Sequence, residues 1–207
     1  MNRLGDANGL RALRPYLRKR SAPVPGEACE LCGAPTDEEH AHVVDLDRRS
    51  LRCACRACAL LFDNPDGRFR RVPDRVLHLP PVAAARWAEI GVPVRLAFVF
   101  FNSRLGRWYA SYPSPGGAIE SEVAPERWAD RSRDLPPLRE MEPDVEALLA
   151  WGPMGCPDLE CFVVPVDACY ELVALCRTHW RGFEGGDEVR AELDRFFGKL
   201  RTRADNR

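Results

Sequence analysis

Five of the nine cysteines lie between Cys29 and Cys58, and they constrain this chain more than any apolar pattern does. The stretch reads Cys29-Glu-Leu-Cys32-Gly33, then His40-Ala-His42, then Cys53-Ala-Cys55-Arg-Ala-Cys58. Cys29/Cys32 and Cys55/Cys58 each have the two-residue gap of a metal-binding knuckle, a turn whose backbone N–H groups point at two sulfurs converging on one ion. The pairs stand 22 residues apart, a little beyond the roughly 15–20 of the common paired-knuckle pattern. Gly33, directly after the first pair, suits the positive φ that such a turn needs.

Four thiolates complete a closed tetrahedral site, for one zinc ion first and one iron ion as the alternative. Cys29, Cys32, Cys55 and Cys58 are therefore the candidate ligands. Cys53, His40 and His42 are left over and stand as alternates. Two residues apart on a strand, His40 and His42 face the same side, so both can reach one ion or one partner. A purely structural reading makes these cysteines buried apolar groups, but Glu27, Glu30 and Arg52 flank them and do not suit a hydrophobic core. A disulfide framework fits poorly, because no secretion signal accompanies the cysteines.

Around this module the chain divides into four stretches. Residues 1–26 form a basic segment and linker, in which the leucine spacing fits a short amphipathic helix over about 8–19, but a frayed, solvated terminus is the favoured reading. Residues 27–63 are the Cys-rich metal-binding module, residues 64–91 a connector with a short helix, and residues 92–203 a larger α+β unit. Within the module, strands are expected at 42–47, 49–53 and 59–62, so that the two knuckles sit on hairpin tips. In the connector, Arg68, Arg70, Arg71 and Arg75 read as a solvated basic face. Pro80-Pro81 resets the chain, and a helix follows over 82–90 that Gly91 stops.

In the larger unit, Val94–Phe101 is a near-continuous apolar run and the strongest strand signal. Arg107–Tyr112 returns as the second strand of a hairpin, whose exposed edge is open to pairing with another chain. Gly116-Gly117 invites a phosphate-loop reading, but no Gly-Lys-Ser/Thr or Gly-x-Gly-x-x-Gly accompanies it, and a turn is sufficient. Pro125 suits the first turn of a helix. Pro143 opens a second, in which Val145, Leu148 and Leu149 share a face. A strand at 159–166 precedes two C-terminal helices, for which Asp167 and Asp187 are N-caps. Cys161, Cys169 and Cys176 fall at apolar positions and read as small core residues. The fold class is thus α+β: a zinc-ribbon or rubredoxin-like four-Cys module, followed by a hairpin-based antiparallel sheet with C-terminal helices.

Composition narrows the function. Net charge is −1, which gives no global pull toward nucleic acid or anionic membrane. No apolar run reaches the roughly 18 residues of a membrane span, and the N-terminal stretch lacks the apolar core of a signal peptide. A cytoplasmic location is expected. The sequence offers no nucleophile–base–orienter constellation, and no Gly-x-Ser-x-Gly or His-Glu-x-x-His motif, so the balance is against an enzyme.

The runs Cys-Glu-Leu-Cys-Gly (29–33), His-Ala-His (40–42), Cys-Ala-Cys-Arg-Ala-Cys-Ala-Leu-Leu-Phe (53–62), Tyr-Pro-Ser-Pro-Gly-Gly-Ala (112–118) and Trp-Arg-Gly (180–182) resemble an uncharacterised bacterial domain family. Its members are often encoded beside the structural genes of uptake nickel–iron hydrogenases. The resemblance covers about 27–203 and assigns no activity. It implies an accessory role in making, assembling or wiring a hydrogenase, with hydrogenase subunits or maturation factors as partners. Three functions follow as expectations: a metal-binding accessory or adaptor protein, a rubredoxin-like electron carrier with iron on the four cysteines, and a zinc-ribbon nucleic-acid binder using the basic N-terminus. The neutral charge and the lack of interleaved aromatic and basic residues on the ribbon count against the last.

If the four thiolates close one site, Cys29→Ser or Cys58→Ser will lose that metal and unfold the module together, because binding free energy is folding free energy in so small a unit. Cys53→Ser will be milder. Circular dichroism with metal analysis checks this. Equal damage from Cys53→Ser, with Cys55→Ser harmless, would show that the wrong sulfur was chosen.

Overall fold

The structure, a computed structural model, describes residues 28–62, 67–114, 116–133, 135–153, 155–180 and 186–205. The basic segment and linker expected before residue 27 lie outside these residues. Two antiparallel sheets carry the fold. The smaller contains β1 (Ala41–Asp45), β2 (Ser50–Ala54) and β3 (Phe69–Arg71) in the order β2-β1-β3. The larger contains β4 (Leu77–Ala83), β5 (Leu96–Asn102), β6 (Arg107–Ser114), β7 (Gly117–Val123), β8 (Glu146–Trp151) and β9 (Asp158–Pro165), in the order β4-β9-β8-β5-β6-β7. The helices are α1 (Arg56–Leu60), α2 (Ala84–Ala88), α3 (Pro125–Ser132), α4 (Pro136–Arg139), α5 (Val166–His179) and α6 (Gly186–Asp205).

The large sheet is covered on both faces, and side-chain alternation sorts its residues between them. Ala97, Val99, Leu148, Ala150, Cys161 and Val163 pack on one side with Trp87, Trp128 and Leu138 from α2, α3 and α4. Phe98, Ala147, Leu149, Phe162 and Val164 pack on the other with α5 and α6. Helices on both faces make the central strands apolar on both sides over most of their length, although the sheet is antiparallel. That is why the helix expected after Pro143 is a strand: Glu146–Trp151 buries successive residues on opposite faces, a run whose periodicity alone cannot separate strand from helix. Cys161, Cys169 and Cys176 are all buried in these two cores.

The stretch expected as a connector is structural. Phe69 pairs with Asp45 at the outer edge of β1, and Val72 N–H donates to the His42 carbonyl at 3.0 Å. The arginines there are engaged rather than solvated. Arg68 grips the buried Asp45 carboxylate with two bonds, of 3.0 and 2.6 Å. These bonds outweigh the effect of burial and hold Asp45 down at about 2. Arg70 donates to the Pro143 carbonyl at 2.7 Å, and Arg75 makes a bidentate pair at 2.7 and 2.6 Å with Glu146, which is fully buried. Pro80 and Pro81 lie within β4, at an irregularity in its pairing with β9 between Leu79 and Val82. They mark a sheet edge, where a missing donor is tolerated.

The 94–112 hairpin exists as β5 and β6, but it exposes no edge. β8 pairs with β5 on one side and β7 with β6 on the other. The sheet ends instead at β4 and β7. Gly117, at φ 119°, turns the chain from β6 into β7, so the double glycine is a turn.

The two sheets meet along an apolar seam of Val44, Leu46, Val72, Val145 and Val166. Around it run Arg70–Pro143, an ion pair of Arg49 with Glu120 at 2.7 Å, and a contact of His42 with Asp167 at 3.0 Å. Beside the seam lies a cleft of about 430 Å³ bordered by Phe98, Phe100, Cys169 and Tyr170.

Phe197 of α6 is fully buried, stacked on Trp151 at 4.5 Å and in contact with Phe162 and Phe196. Phe197→Ala removes this ring from a two-sided core and is expected to cost about 3–5 kcal/mol, measured as a lower midpoint in urea unfolding.

Candidate metal centre

Local turns place the sulfurs. In the first knuckle Cys29 N–H bonds to the Ala34 carbonyl at 2.8 Å and Gly33 N–H to the Cys29 carbonyl at 2.7 Å, with Gly33 at φ 69° as the turn requires. The second knuckle follows β2 directly. Cys55 caps α1, its sulfur accepting from Cys58 N–H at 3.5 Å. The segment leaving this knuckle is therefore a helical turn, where the sequence suggested a strand, because N–H···S closure winds residues 55–58 into helical geometry.

Glu30 fastens the two knuckles together. Its N–H donates to the Cys53 carbonyl at 2.9 Å. Its carboxylate accepts from Cys53 N–H at 2.7 Å and from Arg52 at 2.9 Å. Burial pushes the Glu30 carboxyl up, but Arg52 and the Cys53 N–H outweigh it and keep it ionised.

The sulfurs of Cys29, Cys32, Cys55 and Cys58 all lie within 4.8 Å of one another. Cys32 Sγ and Cys55 Sγ are 3.7 Å apart. Metal–sulfur bonds of about 2.3 Å in a tetrahedron place sulfurs about 3.8 Å apart. The donor set thus fits one thiolate-bound metal ion, and the arrangement is compatible with a zinc-ribbon-like module. Cys29 is buried and Cys32 is exposed, so the site lies at the surface with one side closed.

The thiols are electrostatically unequal. Burial pushes Cys29 up, but hydrogen bonds from the backbone at Cys55, Cys32 and Leu31 and from the Cys32 thiol bring it down to about 6. Cys58 is pushed up to about 12 by its hydrogen bonds to Cys32 and Cys55, then by burial and by Cys29. Without a metal, one thiolate is held by neighbouring donors.

The seven candidates named from sequence fall into two groups. Cys53, His40 and His42 do not join the four-sulfur cluster. Cys53 lies opposite His42 in the β1–β2 register, and one ligand atom from each of His40, His42 and Cys53 lies within 4.8 Å of the others. Sequence reasoning passed over Glu30, which it noted only as a polar flank, and Asp167, which it read as a helix cap. Asp167 lies in the first turn of α5, where it accepts from Ala168 N–H at 2.8 Å and binds His42 with its other oxygen. The 125-residue separation of His42 and Asp167 leaves no local signal.

The profile of a family of unknown function, DUF5947, matches residues 28–204. The chain belongs to this family. The DUF5947 match starts one residue before the first knuckle and runs through both sheets to the end of α6, so the cysteine cluster and the large sheet belong to one family unit. No curated protein and no solved structure gives a significant match. Among the described residues no helix is long and apolar enough to cross a membrane.

Metal capture requires every ligand sulfur to ionise, so protons compete with the metal and affinity rises with pH. With Cys58 near 12 and Cys29 near 6, binding at pH 7 expels the Cys58 proton, and below about pH 6 it must also expel that of Cys29. Competition titration against a chelator is expected to show affinity falling with acidification, with a steeper slope by one proton below about pH 6.

Proposed function

We propose that this chain is a non-catalytic metal-binding accessory or adaptor protein, acting in the assembly or maturation of a nickel–iron hydrogenase. The observation that carries the reading is the convergence of four knuckle sulfurs on one point, because a set with no vacant protein position suits a structural ion. Zinc is the ion proposed, and the module is read as a zinc ribbon whose metal supplies the core that three short strands lack. The hydrogenase context rests on the motif resemblance at 29–33, 40–42, 53–62, 112–118 and 180–182. A docking role is supported by Leu60 and Leu61. They follow Cys58 after Ala59 and are 51% and 75% exposed, an apolar pair beside the metal ligands.

A second reading, a rubredoxin-like electron carrier with iron on the same sulfurs, gains support from Phe62 and Phe69. Their rings lie 5.1 Å apart and, with Cys55 and Cys58, pack against the buried cluster that contains Cys29. This aromatic cover is absent from a reading of residues 29–58 alone.

The test is metal analysis with an absorption spectrum on protein purified anaerobically from its own host, followed by affinity capture of hydrogenase subunits. The adaptor reading expects colourless protein with zinc on the four cysteines, and subunit capture reduced at least tenfold by Leu61→Asp with metal content unchanged. Iron with thiolate charge-transfer bands would replace it with the electron-carrier reading. Metal-free protein with all five thiols freely alkylated would overturn both.

A further inference from the structure

Beside the four-sulfur cluster the structure gathers a second ligand set, of different chemistry. β1 and β2 are antiparallel with His42 directly opposite Cys53, so the two side chains share a sheet face. His40, two residues earlier, falls on the same side, and its ring centroid lies 4.8 Å from that of His42. Two imidazoles and a thiol therefore converge, with ligand atoms within 4.8 Å.

Hydrogen bonds outside the cluster fix which nitrogen each ring offers. His40 Nδ1 lies 2.8 Å from the Asp37 carbonyl oxygen, which only accepts, so Nδ1 carries the proton. His42 Nδ1 lies 3.0 Å from Asp167 Oδ2, and the same argument applies. Both rings are left with the Nε2 lone pair as the free ligand atom. His40 Nε2 is buried and has no hydrogen-bond partner among the described residues, an uncommon state for a polar atom. A ring nitrogen bonded to a carbonyl or carboxylate, with the opposite nitrogen left to ligate, is the arrangement that orients histidines on metals.

We propose that His40 Nε2, His42 Nε2 and Cys53 Sγ form a second metal site, for a divalent first-row transition ion. Asp167 is its positioning residue, holding the His42 ring from α5. Two nitrogens and one sulfur are borderline ligands that suit zinc, cobalt, nickel or copper rather than magnesium or calcium. Three protein ligands leave one position of a tetrahedron for water or for a group from another molecule, so this ion is exchangeable where the four-sulfur ion is enclosed. The site does not depend on the hydrogenase reading or on the identity of the first metal.

Cobalt(II) is the probe, titrated into the full-length, reduced, metal-free chain and its variants, with bound equivalents counted from absorption and by elemental analysis. His40→Ala and Cys53→Ser are each expected to bind one equivalent fewer than the parent, while the charge-transfer spectrum of the four-sulfur site persists. Asp167→Asn is expected to bind that same equivalent about 10–100-fold more weakly. Cys58→Ser serves as the reference for the other ion, whose loss unfolds the module and releases both equivalents. If parent, His40→Ala and Cys53→Ser bind equal numbers of ions, the second site is overturned. If Cys58→Ser removes nothing while His40→Ala still removes one, the four-sulfur reading fails and this one stands. Should either ligand variant prove unfolded by circular dichroism, Asp167→Asn decides: an unchanged affinity in that folded variant overturns the arrangement.

Discussion

The three-stranded sheet has almost no interior of its own. On its inner face Val43 and Ala54 meet Ala59 of α1, with Cys29 as the fourth buried member, and two of these are alanines. So little apolar area cannot offset the entropy of ordering some thirty residues. Something else must hold the knuckles to the end of β2. The Glu30 carboxylate makes part of that connection, with bonds to Arg52 and Cys53. Four sulfurs gathered at one point supply the rest of the donor set, and a cation at their centre would remove their mutual repulsion as thiolates.

The other support is external. The outer surface of β1 leans on the large sheet through Val44 and Leu46 against Val145 and Val166. Charged groups line this seam, among them the buried Asp45 and Glu146, and each of these acids has a partner of matched geometry. Asp45 is gripped by Arg68, Glu146 by Arg75, and Arg70 reaches the Pro143 carbonyl. Removing one member of such a pair leaves a buried charge without compensation, which costs more than the pair contributes. The seam therefore fixes the orientation of the small sheet on the large one, and with it the position of β1 relative to the first turn of α5.

What the sequence disclosed follows from which signals are local. The knuckle spacing, the positive φ at Gly33, the strong strand at 96–102, the return strand, and the helices behind Pro125 and Val166 all depend on residues within one turn or one strand. β8 was hidden because both of its faces are covered, which erases the period-two pattern. β7 was hidden because Gly117–Val123 alternates weakly and sits at an edge. Arg68, Arg70 and Arg75 looked solvated because their partners lie 23 to 73 residues away, at Asp45, Pro143 and Glu146. A still greater separation, 125 residues, concealed the contact of Asp167 with His42. The separation of Cys53, His40 and His42 from the four knuckle cysteines was readable only as a surplus of ligands. The β1–β2 register is what divided that surplus into a group of its own.

The two ends of the large sheet have a consequence for how such a molecule meets other chains. β4 carries two prolines at its irregular stretch, which removes donors from the row that a newcomer strand would need. β7 carries Glu120 and Glu122, paired with Arg49 and Arg107, alongside an exposed Ile119. A strand arriving there meets fixed carboxylates and bulky guanidinium groups. Among the described residues the ladder has six strands, and chemical obstruction at both rims disfavours the addition of a seventh.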